Sequence, residues 1–166
     1  MNRLLFPLML LTLIHSTLFG DALEVGAEAP KLFATTHEGE RIDLGAALRD
    51  GTSLVFFYPK AFTPGCTKQA CSLRDSWSEL EARGLRIFGV SSDSAKTQAE
   101  FRARHKLPFT LIADTDQAVA KAFGKNRWSR QAYIFREGKL VWRDLSAATA
   151  NQAEEALAAL DGLAKK

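Results

Sequence analysis

Apolar residues along this chain fall into short runs that alternate with stretches of helical spacing. The run Leu54-Val-Phe-Phe-Tyr58 is apolar, aromatic and β-branched and stops at Pro59, the pattern of a strand buried on both faces. Residues 86–91, 110–113 and 132–135 repeat it. Helical patterns fill the gaps, over 64–83, 95–105 and 116–123, and a closing helix is predicted over 150–164. The last carries the stripe Ala153, Ala156, Leu157, Leu160 and Leu163, and Thr149 with Gln152 has the spacing of a capping box. Strands alternating with helices predict a mainly parallel sheet covered on both faces. Glu137-Gly138 reads as a hairpin turn between 132–136 and 139–143, which adds one antiparallel strand at the sheet edge. The fold class is therefore α/β, a central mixed β-sheet flanked by helices.

The N-terminus follows a different pattern. Arg3 precedes eleven residues, Leu4 to Ile14, interrupted only by Thr12, and small or polar residues follow at Ser16, Thr17, Gly20 and Ala22. That is the layout of a cleavable signal peptide over 1–22, with an apolar stretch shorter than the ~20 residues that span a bilayer. The expectation is export, to a bacterial periplasm, with 23–166 as a single domain having no stable membrane insertion. A retained amphiphilic helix is the alternative.

Composition removes other classes. The 166 residues are 46% hydrophobic and 25% charged, which disfavours disorder, collagen-like repeats and a polytopic membrane protein. The 22 basic against 19 acidic residues give a net charge of only +3, with no dense basic block, so no nucleic-acid partner is called for. Two cysteines, Cys66 and Cys71, make neither a disulfide scaffold nor a Cys-only zinc site, and their closeness points to a joint role. His37 and His105 lack metal-ligand spacing and read as surface residues. Nothing asks for a metal, flavin or nucleotide cofactor.

The unusual chemistry lies in Tyr58-Pro-Lys-Ala-Phe-Thr-Pro-Gly-Cys-Thr-Lys-Gln-Ala-Cys71. Thr63-Pro64 is a strong helix start, since threonine serves as an N-cap acceptor and proline suits the first helical position. Cys66 then sits in the first turn, where unpaired N–H groups and the positive end of the helix dipole stabilise a thiolate and make it reactive. Gly65 removes a side chain beside the sulfur, which reads as an opening for a small substrate and describes an accessible cysteine.

Cys66, Ala70, Leu73, Trp77 and Leu80 share one helical stripe, and Cys71 is rotated about 140° from Cys66. In an intact helix their Cα atoms lie about 8.7 Å apart, beyond the ~7 Å that a disulfide tolerates. Joining them requires the first turns to unwind. A static structural disulfide is the alternative reading, and the same spacing counts against it. The arrangement suits a cycle in which Cys66 thiolate attacks an oxidant, becomes a sulfenic acid and condenses with Cys71, after which an external dithiol restores both thiols.

Pro59-x-x-x-Thr63-x-x-Cys66 resembles the peroxidatic motif of the peroxiredoxins. Residues 63–75, with the second cysteine five positions on, are similar to the Q subfamily, the bacterioferritin comigratory proteins, and the similarity runs from about Gly26 to Leu157 through 88–93, 109–114 and 130–135. The resemblance implies a thioredoxin-like fold, a thiol peroxidase acting on hydrogen peroxide and organic hydroperoxides, a thioredoxin-like dithiol protein as reductant, and a monomer. It maps the peroxide-surrounding residues onto Pro59, Thr63, Cys66 and Arg130, with Thr63 orienting the peroxide and Arg130 stabilising charge, and Cys71 as resolving thiol. This chain departs from the pattern in a shorter 124–129 stretch, in Ala132 and in Arg136, and Arg127 is the alternative site arginine. Trp128 reads either as a pocket wall or as an exposed loop residue. Competing functions are a thiol-disulfide exchange protein, against which the Cys-x4-Cys spacing counts, and a redox sensor that signals by helix unwinding.

Overall fold

A computed structural model describes residues 21–125 and 128–165. Most of the expected leader, residues 1–20, and the alternative arginine Arg127 lie outside the described residues.

The elements run β1 (Phe33–Thr35), β2 (Arg41–Asp43), α1 (Leu44–Arg49), β3 (Thr52–Phe57), α2 (Pro64–Asp75), α3 (Trp77–Ala82), β4 (Leu85–Ser91), α4 (Ala95–His105), β5 (Thr110–Ala113), α5 (Ala118–Ala122), β6 (Gln131–Arg136), β7 (Lys139–Asp144) and α6 (Gln152–Ala164). Five strands form the main sheet in the order β5-β4-β3-β6-β7, while β1 and β2 pair as a separate antiparallel ribbon. β3 and β5 each run parallel to β4, whereas β6 pairs antiparallel with both β3 and β7. The reversed strand is therefore internal, and the expected antiparallel edge is corrected: the hairpin returns β7, the true edge, to the common direction. The two-residue turn Glu137-Gly138 has φ of 47° and 81°, the double positive φ of a type I′ hairpin.

Alternation along the strands builds two cores. Leu54, Phe56 and Tyr58 of the β3 segment face one cluster with Ala70, Leu73, Leu80, Phe101, Ala132, Ile134 and Leu160. Val55 and Phe57 face the other, with Leu44, Leu48, Val90, Phe123, Tyr133 and Phe135. Helices α2, α3, α4 and α6 thus contribute to the first core, and α1 and α5 to the second. Gly89 in β4 is where Phe56 crosses: a β-carbon there would meet the Phe56 ring and Leu111 at 2.7 Å.

Three expectations change in detail. The helix over 64–83 is interrupted at Ser76, whose φ −101° and ψ 12° leave helical geometry, so that α2 packs on α6 while α3 packs on β4. The Thr149/Gln152 capping box does not form; α6 starts at Gln152 without a side-chain cap, and Ala153 N–H donates instead to Ser72 Oγ of α2 at 3.1 Å. His37 is not a surface residue: it is 9% exposed and its Nδ1 accepts from Leu111 N–H at 3.3 Å, so it joins the β1–β2 ribbon end to β5.

Candidate active site

β3 ends at Phe57, and Tyr58 continues against β4 through its N–H to Val90 O at 3.1 Å. Pro59 then turns the chain into a loop. That loop is pinned from the β4 end, where Ala61 N–H donates to Asp93 Oδ2 at 2.7 Å, the same oxygen that accepts from Ser91 Oγ at 2.7 Å. Phe62 adopts φ 64°, a left-handed conformation that aromatic residues rarely take. Ring contacts with Phe101 at 5.2 Å and His105 at 6.2 Å hold it there. The helix start expected at Thr63-Pro64 is observed, and Thr67 N–H bonds Thr63 O at 2.9 Å. Thr63's side chain does not cap the helix; its hydroxyl donates to Lys60 O at 2.9 Å, which corrects the capping role and leaves its oxygen lone pairs open.

Cys66 is fully buried, so the accessible cysteine expected from Gly65 is corrected. Its stripe faces the sheet: Cys66, Ala70, Leu73 and Leu80 are all fully buried and Trp77 packs partly buried beside them. Gly65 does not leave an opening either. Arg130, which precedes β6 and is 64 residues along the chain from Cys66, reaches over the first turn of α2 and brings its Nη2 to 3.5 Å from Cys66 Sγ. A β-carbon on Gly65 would lie 2.6 Å from that Nη2. The backbone behind Arg130 is held by Ala147 N–H donating to Arg130 O at 3.0 Å, while Arg130 Nε is buried with no hydrogen-bond partner. One guanidinium donor therefore meets the sulfur, and a second buried donor has no protein acceptor. Trp128, two residues earlier, is 70% exposed, which decides for the exposed-loop reading.

Both cysteines are free thiols. Cys71 is half-buried on another face of α2, one turn before Arg74, whose guanidinium the hydrogen bond to Asp75 pushes further above its already high ordinary value. Arg74 also donates to His105 O at 2.9 Å, which ties the second half of α2 to the end of α4.

Sequence reasoning missed the polar floor under this site. Tyr58 Oη donates to Gln98 Oε1, and Gln98 Nε2 is shared between Ser91 Oγ and Ile112 O, both at 2.9 Å. Burial pushes the Tyr58 hydroxyl far above the usual tyrosine range and keeps it protonated. Gln98 gave no signal because it lies in an ordinary amphipathic helix pattern. Asp93 stood inside the stretch that carried the resemblance but had no assigned task.

The chain matches the AhpC/TSA family over residues 25–143. It is 38% identical over 114 residues to Peroxiredoxin Bcp of Escherichia coli, covering 69% of this chain and 71% of that protein. Among solved structures, Peroxidoxin BcpB of Mycobacterium tuberculosis superposes with a TM-score of 0.77 at 29% identity, covering 84% of this chain and 97% of the other. The bacterioferritin comigratory protein of Xanthomonas campestris, studied for alkyl peroxide reduction, gives 0.76 at 30% identity, over 86% and 98%. The α/β sandwich with its central mixed sheet is thus the thioredoxin-like fold of these proteins. The chain belongs to the AhpC/TSA family, as a peroxiredoxin of the Bcp and peroxiredoxin Q kind, and is a thiol-dependent peroxidase.

Proposed function

We propose that Cys66 is the peroxide-reactive nucleophile, that Arg130, Thr63 and Pro59 form its immediate surroundings, and that Cys71 is the resolving thiol. The observation that carries this reading is the 3.5 Å approach of Arg130 Nη2 to Cys66 Sγ at the start of a helix. The thiolate attacks one oxygen of the peroxide bond; sulfur gains a hydroxyl as sulfenic acid, and the other oxygen leaves as hydroxide or alkoxide, which takes up the proton given up when the Cys66 thiol ionised and becomes water or an alcohol. Arg130 stabilises the charge that shifts onto the leaving oxygen, and the Thr63 hydroxyl, freed from Lys60 O, orients the peroxide. Cys71 sulfur then displaces water from the sulfenic acid, and a thioredoxin-type dithiol returns two electrons to the disulfide. Mass spectrometry of Cys71→Ser and Cys66→Ser, each treated with one equivalent of hydrogen peroxide and dimedone, tests the assignment: a rapid adduct is expected in Cys71→Ser and none on the same timescale in Cys66→Ser. An adduct that forms as fast in Cys66→Ser, or none in Cys71→Ser, overturns it.

The same proposal takes the mature protein to be exported to a periplasm after loss of the 1–22 leader, and to act as a monomer. Arg3 followed by the apolar run from Leu4 to Ile14 supports export; among the described residues no helix is long and apolar enough to cross a membrane. N-terminal sequencing of the protein from fractionated cells is expected to begin at Asp21 or Leu23 in the periplasmic fraction, and retention of Met1 in the cytosolic fraction contradicts export. A single species with the mass of one leader-free chain is expected by light scattering, and a dimer contradicts the monomer.

A further inference from the structure

Between the two cysteines, α2 carries Gln69, and its amide is completely buried against Gln152, the first residue of α6, which is equally buried. Gln69 Nε2 donates to Gln152 Oε1 at 2.9 Å. The remaining atoms of both amides, Gln69 Oε1 and Gln152 Nε2, are buried and have no hydrogen-bond partner. Two primary amides are thus sealed in the first core's margin with two of their four polar atoms unpartnered. Such atoms raise the free energy of the state that buries them, whereas two apolar groups of the same shape would not.

Their location gives this deficit a role. Gln69 lies inside the segment that must unwind for Cys66 and Cys71 sulfurs to meet, and the neighbouring Ser72 Oγ accepts from Ala153 N–H, so the start of α6 rests on that same segment. Unwinding carries Gln69 into water and uncovers Gln152, and both amides then regain their missing partners. We infer that the Gln69–Gln152 pair is a positioning device for the resolving step: it holds α2 wound with one hydrogen bond while its orphaned atoms keep the wound form easy to leave, and α6's first turn loosens together with α2. This rests on the assignment of Cys71 as resolving thiol.

The sign of the effect separates this from a plain packing role. In Gln69→Met/Gln152→Met the wound form loses its orphans and keeps its volume, so disulfide formation is expected to slow about tenfold or more. The bimolecular first oxidation of Cys66 keeps its rate. Gln152→Met alone leaves Gln69 wholly unpaired and is expected to speed disulfide formation. The experiment is single-turnover oxidation with one equivalent of hydrogen peroxide, quenched over time and read by intact mass, with sulfenic acid trapped by dimedone. An unchanged or faster second phase in the double variant overturns the inference. If the wild-type protein forms no intrachain disulfide, the resolving assignment itself has failed. Hydrogen exchange on the wild-type protein supplies a measurement independent of any variant: amides at 66–72 and 152–156 are expected to lose protection together in the disulfide form. Protection retained at 152–156 overturns the coupling.

Discussion

Gly65 and Arg130 occupy complementary space: a β-carbon on Gly65 would sit 2.6 Å from Arg130 Nη2, the atom that lies 3.5 Å from Cys66 Sγ. The glycine is there for the guanidinium. Gly65→Ala is therefore expected to displace Arg130 from the sulfur and to lower the rate of reaction with peroxide on the order of 10²-fold, the cost of misplacing a reacting partner by about 1 Å. Folding stability is expected to change little, because alanine is the better helix residue by ~0.5–1 kcal/mol. Stopped-flow oxidation and a thermal melt check the two halves; a normal rate in Gly65→Ala contradicts the placement of Arg130.

Removing the guanidinium acts on the same step. Arg130→Met is expected to lose about 10²–10³-fold in the second-order rate with hydrogen peroxide, the usual consequence of deleting one charge-stabilising donor. Arg130→Lys is not expected to restore it, since a single ammonium lacks the planar fork that spans the first turn of α2. Recovery of the wild-type rate in the lysine variant contradicts the geometric part of the account.

The loop that carries Pro59 and Thr63 depends on Asp93, which accepts from Ala61 N–H and Ser91 Oγ. Asp93→Ala leaves both donors unpaired and is expected to cost about 2 kcal/mol, a fall of roughly 4–8 °C in melting temperature for a domain of this length. Peroxidase activity is expected to fall with it, and Asp93→Asn, which keeps one acceptor oxygen, to retain more of both. Calorimetry beside a peroxide-consumption assay measures this.

Acid sensitivity follows from His37. Burial first, and Arg102 second, hold its imidazole below the ordinary value of 6.5, and Nδ1 must stay unprotonated to accept from Leu111 N–H. The unfolded chain binds the proton more readily, so the stabilisation is fully present above pH 6.5 and is lost as pH falls through the lower folded-state value. His105, shifted down by burial and then by Arg74 and Arg104, adds in the same direction. Chemical denaturation from pH 7.5 to 5 is expected to show falling stability, with a shallower slope in His37→Gln; an identical slope contradicts the role of His37.

The parts legible in the sequence are those where burial is symmetrical or chemistry is local. Residues of β3 are buried on both faces, so an unbroken apolar run announces the strand, and Thr63-Pro64 starts a helix through local geometry alone. β1 escaped notice because only Ala34 of its three residues is buried, and β2 has no fully buried residue. The use of Gly65 was illegible because it depends on Arg130, which arrives from the start of β6, 64 residues along the chain from Cys66. Gln69 and Gln152 look like solvent-facing polar positions on their own helices, and only the docking of α6 on α2 makes them core.

The central claim is that the sulfur at the start of α2, under Arg130, is the one that meets peroxide and passes its oxidation to Cys71. Mixing the pre-reduced mature protein with stoichiometric hydrogen peroxide, while recording thiol loss and intact mass, tests it most directly. The account predicts a second-order rate constant in the enzymatic range of about 10⁴–10⁸ M⁻¹s⁻¹, ending in an intrachain disulfide, with both abolished in Cys66→Ser. A rate no faster than that of free cysteine, or a fast reaction that survives Cys66→Ser, contradicts it.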